Sequence, residues 1–218
     1  MKLSKIEIKP TKSAKFGIIW LHGLGANGHD FESLVPELNF PDKDHTHFIF
    51  PNAPIQPVTI NQGMRMPSWY DIYAISTERD FNQDDLKQSA TAIQALIAEL
   101  INSGIPSHKI LLAGFSQGGA VALEAALTFE QPLAALLCLS TYFATEKTIQ
   151  RNSENHGLSI EVHHGLQDPV VPEVLGQRSV NALKAMGHPV TYKTYGMPHA
   201  VCPPQVKDIS NFIQRSLQ

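Results

Sequence analysis

A serine stands between two glycines in Gly114-Phe115-Ser116-Gln117-Gly118, where an apolar run over 110–115 gives way to a helix-forming stretch of small residues. The pattern is G-x-S-x-G, and the chemistry it suits is nucleophilic attack on an acyl carbonyl. A strand that turns abruptly into a helix crowds its own backbone, so glycines flank the serine and the hydroxyl is thrust out of the turn. Gly119 and Ala120 let the new helix lie close to its neighbours. A phosphate loop is the poorer reading, because the spacing G-x-x-x-x-G-K-[ST] is absent. The pentapeptide alone also fits a glycine-rich strand–helix turn with an incidental serine.

A hydroxyl becomes a useful nucleophile only when a base takes its proton and a third group orients that base. After a nucleophile of this kind the expected chain order is acid, then histidine. Asp168 is the sole aspartate between Ser116 and His199. Two histidines follow it, His188 and His199, and only the elements that carry them can choose between the two.

Those elements alternate. The apolar pattern predicts strands over 16–21, 46–50, 110–115, 133–139, 158–163 and 190–195. Helices are predicted over about 30–38, 84–103, 118–129, 173–186 and 204–216. The clearest is 84–103, where Leu86, Ala90, Ile93, Leu96, Ile97, Leu100 and Ile101 share one face. Acidic residues open it, and Gly104 and Pro106 close it. Such alternation implies an α/β fold, a mostly parallel central sheet flanked by helices on both faces. Ligands of such sheets sit beyond the carboxyl ends of the strands. Asp168 and His199 each follow a strand and reach that edge, whereas His188 precedes its strand and falls at the opposite one. The glutamates are worse placed. They lie in helices (Glu124, Glu130), in an irregular stretch (Glu146, Glu154), inside a strand (Glu161) or after the aspartate (Glu173). Topology therefore selects Ser116, Asp168 and His199.

Acyl transfer also needs donors for the developing oxyanion. One is expected from the backbone N–H of Gln117, at a helix start where the macrodipole adds positive potential. The other is expected from the backbone N–H of Leu24, in His22-Gly23-Leu24-Gly25, which ends the first apolar strand.

The chain has 218 residues and a formal net charge of −3, from 17 basic and 20 acidic residues. A chain of this size buries about 70% of its surface on folding, so its core needs no disulfide or metal staple. One domain over 1–218 is expected, since no repeat or linker divides it. The charge balance argues against nucleic acid as a partner. No apolar run reaches the eighteen or so residues of a membrane helix, and the charged N-terminus carries no secretory signal. With two cysteines, Cys138 and Cys202, the simplest setting is a reducing cytoplasm. His45 and His47 lack a third ligand at helpful spacing, so no metal site is expected. His164 is expected to brace the Asp168 turn.

The sequence resembles the carboxylesterase / acyl-protein thioesterase (lysophospholipase-like) family of α/β-hydrolases over nearly its whole length. The resemblance rests on Leu21-His22-Gly23-Leu24-Gly25-Ala26, Pro51-Asn52-Ala53-Pro54, Ser68-Trp69-Tyr70-Asp71 and Gly114-Phe115-Ser116-Gln117-Gly118-Gly119. It continues through Leu139-Ser140-Thr141-Tyr142, Gly165-Leu166-Gln167-Asp168 and His199-Ala200-Val201-Cys202. It implies the α/β-hydrolase fold, the same triad and oxyanion donors, and no cofactor. The substrate implied is a short- to medium-chain ester or thioester, with acylated proteins and lysophospholipids within the family's range. A lysophospholipase and a catalytically silent binding module are the rival readings. A homodimer is admitted by the sequence and not required by it. The stretch from Pro51 to about Phe81 is long for a structureless connector, as binding loops and lids are. It is expected to wall an acyl groove with Met64, Met66, Trp69 and Tyr70; the bland alternative is a core-packing excursion with its own short strands.

Overall fold

Every residue of the runs Phe16–Leu21 and Ala135–Leu139 is buried, as befits strands covered on both faces. The structure, a computed structural model, describes residues 1–74 and 80–217. In chain order these form β1 (Lys5–Ile8), β2 (Phe16–Leu21), the one-turn α1 (His29–Glu32), β3 (Thr46–Pro51), β4 (Ile55–Val58), β5 (Met64–Pro67), β6 (Ile72–Ala74) and β7 (Asp80–Phe81). The long helix α2 (Gln83–Asn102) follows, then β8 (Ile110–Phe115), α3 (Gln117–Thr128), β9 (Ala135–Leu139) and β10 (Ile160–Gly165). The chain closes with α4 (Glu173–Ala185), β11 (Val190–Tyr195) and α5 (Pro203–Ser216).

The central sheet has the order β1-β3-β2-β8-β9-β10-β11. Its pairings are parallel except the edge pair β1–β3. Two cores follow from the two faces. On one, α2 and α3 supply Leu86, Ile93, Ile97, Val121 and Leu123 against Ile19, Leu21, Leu112 and Leu136. On the other, Phe31, Ile209, Phe212 and Ile213 cover Trp20, Phe48, Leu111 and Leu137. The side-chain oxygen of Asn82 caps α2, accepting from the N–H groups of Asp84 and Asp85 at 3.1 Å each.

One expectation needs correction. The helix predicted over about 30–38 is a single α-turn followed by a 3₁₀ turn at Val35–Glu37, because Pro36 has no N–H to continue the ladder. The excursion over 51–81 carries two antiparallel pairs, β4 with β5 and β6 with β7. Residues 75–79 of it lie outside the described residues. The edge strand β1 is not among the predicted strands, because the alternation of Ile6 and Ile8 with Lys5 and Glu7 spans only four residues and makes a weak signal.

Candidate active site

Four of the predicted residues sit in loops that leave the sheet at its carboxyl edge. β2 runs into His22–Gly25, β8 into Ser116, β10 into Asp168 and β11 into His199. Strands β2 and β8 are neighbours in register Leu21 to Gly114, and β10 and β11 in register Gly165 to Tyr195.

Ser116 has φ +54° and ψ −122°, a strained backbone for a residue with a Cβ. The strain is held by β9. Ser116 N–H donates to the Leu139 carbonyl at 2.9 Å, and the Thr141 hydroxyl donates to the Ser116 carbonyl at 2.6 Å. Gly118 is required by close approach: a Cβ there would stand 2.4 Å from the His22 carbonyl oxygen. The His22–Gly25 loop thus presses on the helix start, and Gly23 lies so near that a Cβ on it would be 3.4 Å from that of Ser116. Among the described residues, neither the Leu24 N–H nor the Gln117 N–H is found donating a hydrogen bond within the protein.

His199 and Asp168 meet. His199 Nδ1 lies 2.6 Å from Asp168 Oδ2, and the other carboxylate oxygen accepts from the N–H groups of Val170 and Val171 at 2.9 Å each. Three hydrogen bonds therefore fix the buried carboxylate. Gly165 makes the meeting geometrically available, since a Cβ there would lie 2.3 Å from the Met197 carbonyl oxygen. His164 braces the turn, its Nε2–H donating to the Val171 carbonyl at 2.7 Å. Burial holds His164 and His22 below the ordinary imidazole pKa. The rival acids are engaged elsewhere: Glu161 with His163 and Arg215, Glu173 with Tyr192. His188 lies at the amino edge, before β11.

The excursion places its residues unequally. Trp69 and Tyr70, expected along an acyl groove, expose none of their surface and belong to the core. The Trp69 indole N–H donates to the His22 carbonyl at 2.8 Å, and the Tyr70 hydroxyl bonds that of Tyr142 at 2.8 Å. Met64 is 64% exposed on β5. Met66 is half-buried, its sulfur 3.7 Å from where a Cβ of Gly25 would stand. The Gly25 N–H donates to the Pro67 carbonyl at 2.8 Å, which docks β5 against the His22–Gly25 loop. No group of three or more His, Cys, Asp or Glu able to hold a metal occurs among the described residues.

A family model described as Phospholipase/Carboxylesterase matches residues 3–217. The chain belongs to the phospholipase/carboxylesterase family. A curated member named acyl-protein thioesterase 1, from Gibberella zeae, is 36% identical over 211 residues, covering 92% of this chain and 90% of that one. Its namesake from Cryptococcus neoformans is 34% identical over 237 residues, covering 99% and 98%. The crystal structure of Arabidopsis thaliana SOBER1 superposes with a TM-score of 0.88 at 28% identity, over 94% of this chain and 100% of that one. Zea mays acyl-protein thioesterase 2 gives 0.88 at 26% identity, over 99% of each chain. The phospholipase/carboxylesterase fold here is the α/β-hydrolase fold, and the chain is a hydrolase of the serine esterase type.

Reading for motifs passed over the buried side chain of Gln117, a residue chosen from sequence for its backbone alone. Its amide reaches Ser68, Trp69 and Tyr70.

Proposed function

We propose that this hydrolase cleaves short- to medium-chain carboxylic esters or thioesters through an acyl-enzyme on Ser116. His199 takes the hydroxyl proton as Ser116 Oγ attacks the carbonyl, and Asp168 holds the imidazole in the tautomer with Nδ1–H and stabilises its charge. The oxyanion is received by the N–H groups of Leu24 and Gln117. Collapse expels the alcohol or thiol, which takes the proton back from His199, and a water activated by the same histidine releases the acid. The observation that carries this reading is the 2.6 Å bond between His199 Nδ1 and Asp168 Oδ2 at the same sheet edge as the strained Ser116.

The relatives named acyl-protein thioesterase support thioesters, including those of acylated proteins, as the substrate class. Met64 and Met66 on β5 are the proposed acyl-binding side chains, Met64 for its exposure and Met66 for the nearness of its sulfur to Gly25. The proposed setting is a reducing cytoplasm. Cys138 and Cys202 are both free, and no helix among the described residues is long and apolar enough to cross a membrane. A fluorophosphonate probe tests the nucleophile: native protein is labelled at Ser116, and absence of labelling would make the fold a silent binding module. A matched series of oxygen esters and thioesters then ranks the leaving groups.

A further inference from the structure

The two proposed oxyanion donors belong to different strands. The Gln117 N–H is fixed by β8 and the elbow, and the Leu24 N–H by the loop after β2. A donor serves the transition state only at about 2.7–3.1 Å from the oxyanion, so the gap between the two must be set to a fraction of an ångström. A ring of buried hydrogen bonds, closed by one backbone contact, spans that gap.

It begins at the side chain of Gln117, which is 2% exposed. Its Oε1 accepts from the Trp69 N–H at 2.9 Å, while its Nε2 donates to the Tyr70 carbonyl at 2.7 Å and to Ser68 Oγ at 3.0 Å. The Ser68 hydroxyl in turn donates to the Tyr70 carbonyl at 2.7 Å. The ring then passes through the Trp69 indole to the His22 carbonyl at 2.8 Å, two residues before Leu24. The same carbonyl faces Gly118, at the base of α3, which closes the ring on the elbow. On its far side the His22 imidazole accepts from the Ala53 N–H at 3.0 Å, so the loop is held from two directions. A primary amide alone among neutral side chains presents an acceptor and a donor as a fork, and the Trp69 N–H and Tyr70 carbonyl are what that fork grips.

From this ring we propose that the Gln117 side chain and the Trp69 indole are positioning residues for the oxyanion hole, a strut that fixes the distance between the N–H groups of Leu24 and Gln117. The inference rests on the proposed function, and deepens it by assigning buried side chains to transition-state geometry rather than to the substrate groove. Loosening the strut leaves the ground state, whose carbonyl makes weaker use of the hole, largely as it was. The cost falls on the charged tetrahedral state.

The test uses Trp69→Phe, which removes the indole N–H and keeps most of the aromatic volume. Four quantities are measured: KM and kcat on p-nitrophenyl butyrate, Ki for an alkyl trifluoromethyl ketone, and Tm. Ser116 Oγ adds to the ketone carbonyl, its proton passes to His199, and the new oxyanion occupies the hole. We expect kcat and affinity for the ketone to fall together by about tenfold, with KM within about twofold. That is less than the roughly 10²–10³ lost when a donor is deleted outright. Ser68→Ala, which removes one hydroxyl from the ring, moves both quantities in the same direction by less, and serves if the Trp69 variant does not fold. Asn155→Ala removes buried bonds to 129–133, away from the site, and lowers Tm without changing kcat or Ki. If the Trp69 and Ser68 variants lose only Tm, as Asn155→Ala does, the strut supports the fold alone and the inference is wrong. A wild-type protein that the ketone does not inhibit would instead overturn the hydrolytic reading of Ser116.

Discussion

The ring of Phe115 lies 4.6 Å from the imidazole of His199, centroid to centroid, and tilted by 44°. Phe115 immediately precedes Ser116, so the residue that leads into the elbow also supports the proposed base. Behind it the stack continues through Phe31 at 5.8 Å to Trp20 at 4.8 Å. An aromatic pair of this kind is worth about 0.5–1.5 kcal/mol beyond its buried area. Phe115→Leu keeps the apolar contact and loses the ring. We expect kcat to fall about tenfold with KM little changed, since a misplacement of about 1 Å costs on the order of 10²-fold. Steady-state kinetics decide it, and a rise in KM alone would mean that Phe115 serves substrate binding instead.

Ser116→Ala and His199→Ala are each expected to lose most of kcat, by similar factors. The double variant should be scarcely worse, because the members of such a triad act as a unit. Single-turnover kinetics on an activated ester read this directly. Near-additive losses would show that one of the two is misassigned.

Asp168→Asn is the sharper substitution. Its side-chain oxygen can still accept from the N–H groups of Val170 and Val171, which preserves the turn. Its NH₂ then faces His199 Nδ1 and favours the tautomer that carries the proton on Nε2, unable to accept one from Ser116. In Ser-His-Asp proteases the equivalent change lowers kcat by about 10⁴. A comparable fall with Tm nearly unchanged is expected here, and activity retained within a few-fold would return attention to Glu161 or Glu173.

Chain-length preference separates the two halves of the excursion. Burying one methylene contributes about 0.8 kcal/mol, or roughly fourfold in kcat/KM per carbon while the groove lasts. Activity should climb from acetyl toward butyryl or hexanoyl esters and then level off. Met66→Ala is expected to flatten that climb without altering Tm by more than a few degrees. Trp69→Ala, by contrast, opens a cavity in the core, costs about 3–5 kcal/mol, and reduces activity on every chain length alike. A p-nitrophenyl ester series with a thermal melt of each variant distinguishes these outcomes.

Burial holds His188, like His22 and His164, below its ordinary pKa. The unfolded chain takes up these protons near about pH 6.5, whereas the native state refuses them until lower pH. Between those limits the unfolded state binds more protons, so stability falls as pH drops below about 6.5. Glu124, whose carboxyl burial raises, works the other way, because the native state keeps a proton there that the unfolded chain releases. The net slope is therefore compared between variants. His188→Leu removes one buried imidazole away from the site and should lose less Tm between pH 7.5 and 5.5 than the wild type. Equal slopes would assign the acid sensitivity elsewhere.

Sequence alone determined the main alternation of strands and helices. Apolar runs such as 16–21 and 135–139 declare strands because a strand covered by helices has no polar face to show. Once strands and helices alternate, the parallel sheet sends every strand's following loop to one edge. That rule was enough to choose His199 over His188 and Asp168 over six glutamates before any contact was known. Tertiary structure decided what spacing cannot encode. Trp69 and Tyr70 have the composition of a binding loop, yet β4–β5 and β6–β7 pair within the excursion and both side chains lie in the core, leaving Met64 exposed and Met66 half-buried. Gln117 looked like a backbone donor only. Its amide meets Ser68–Tyr70 because helix α3 and the excursion pack together across nearly fifty residues of chain. Local pattern reports how a residue is held by its neighbours in sequence, while hydrogen bonds between distant segments depend on the packing of the whole sheet.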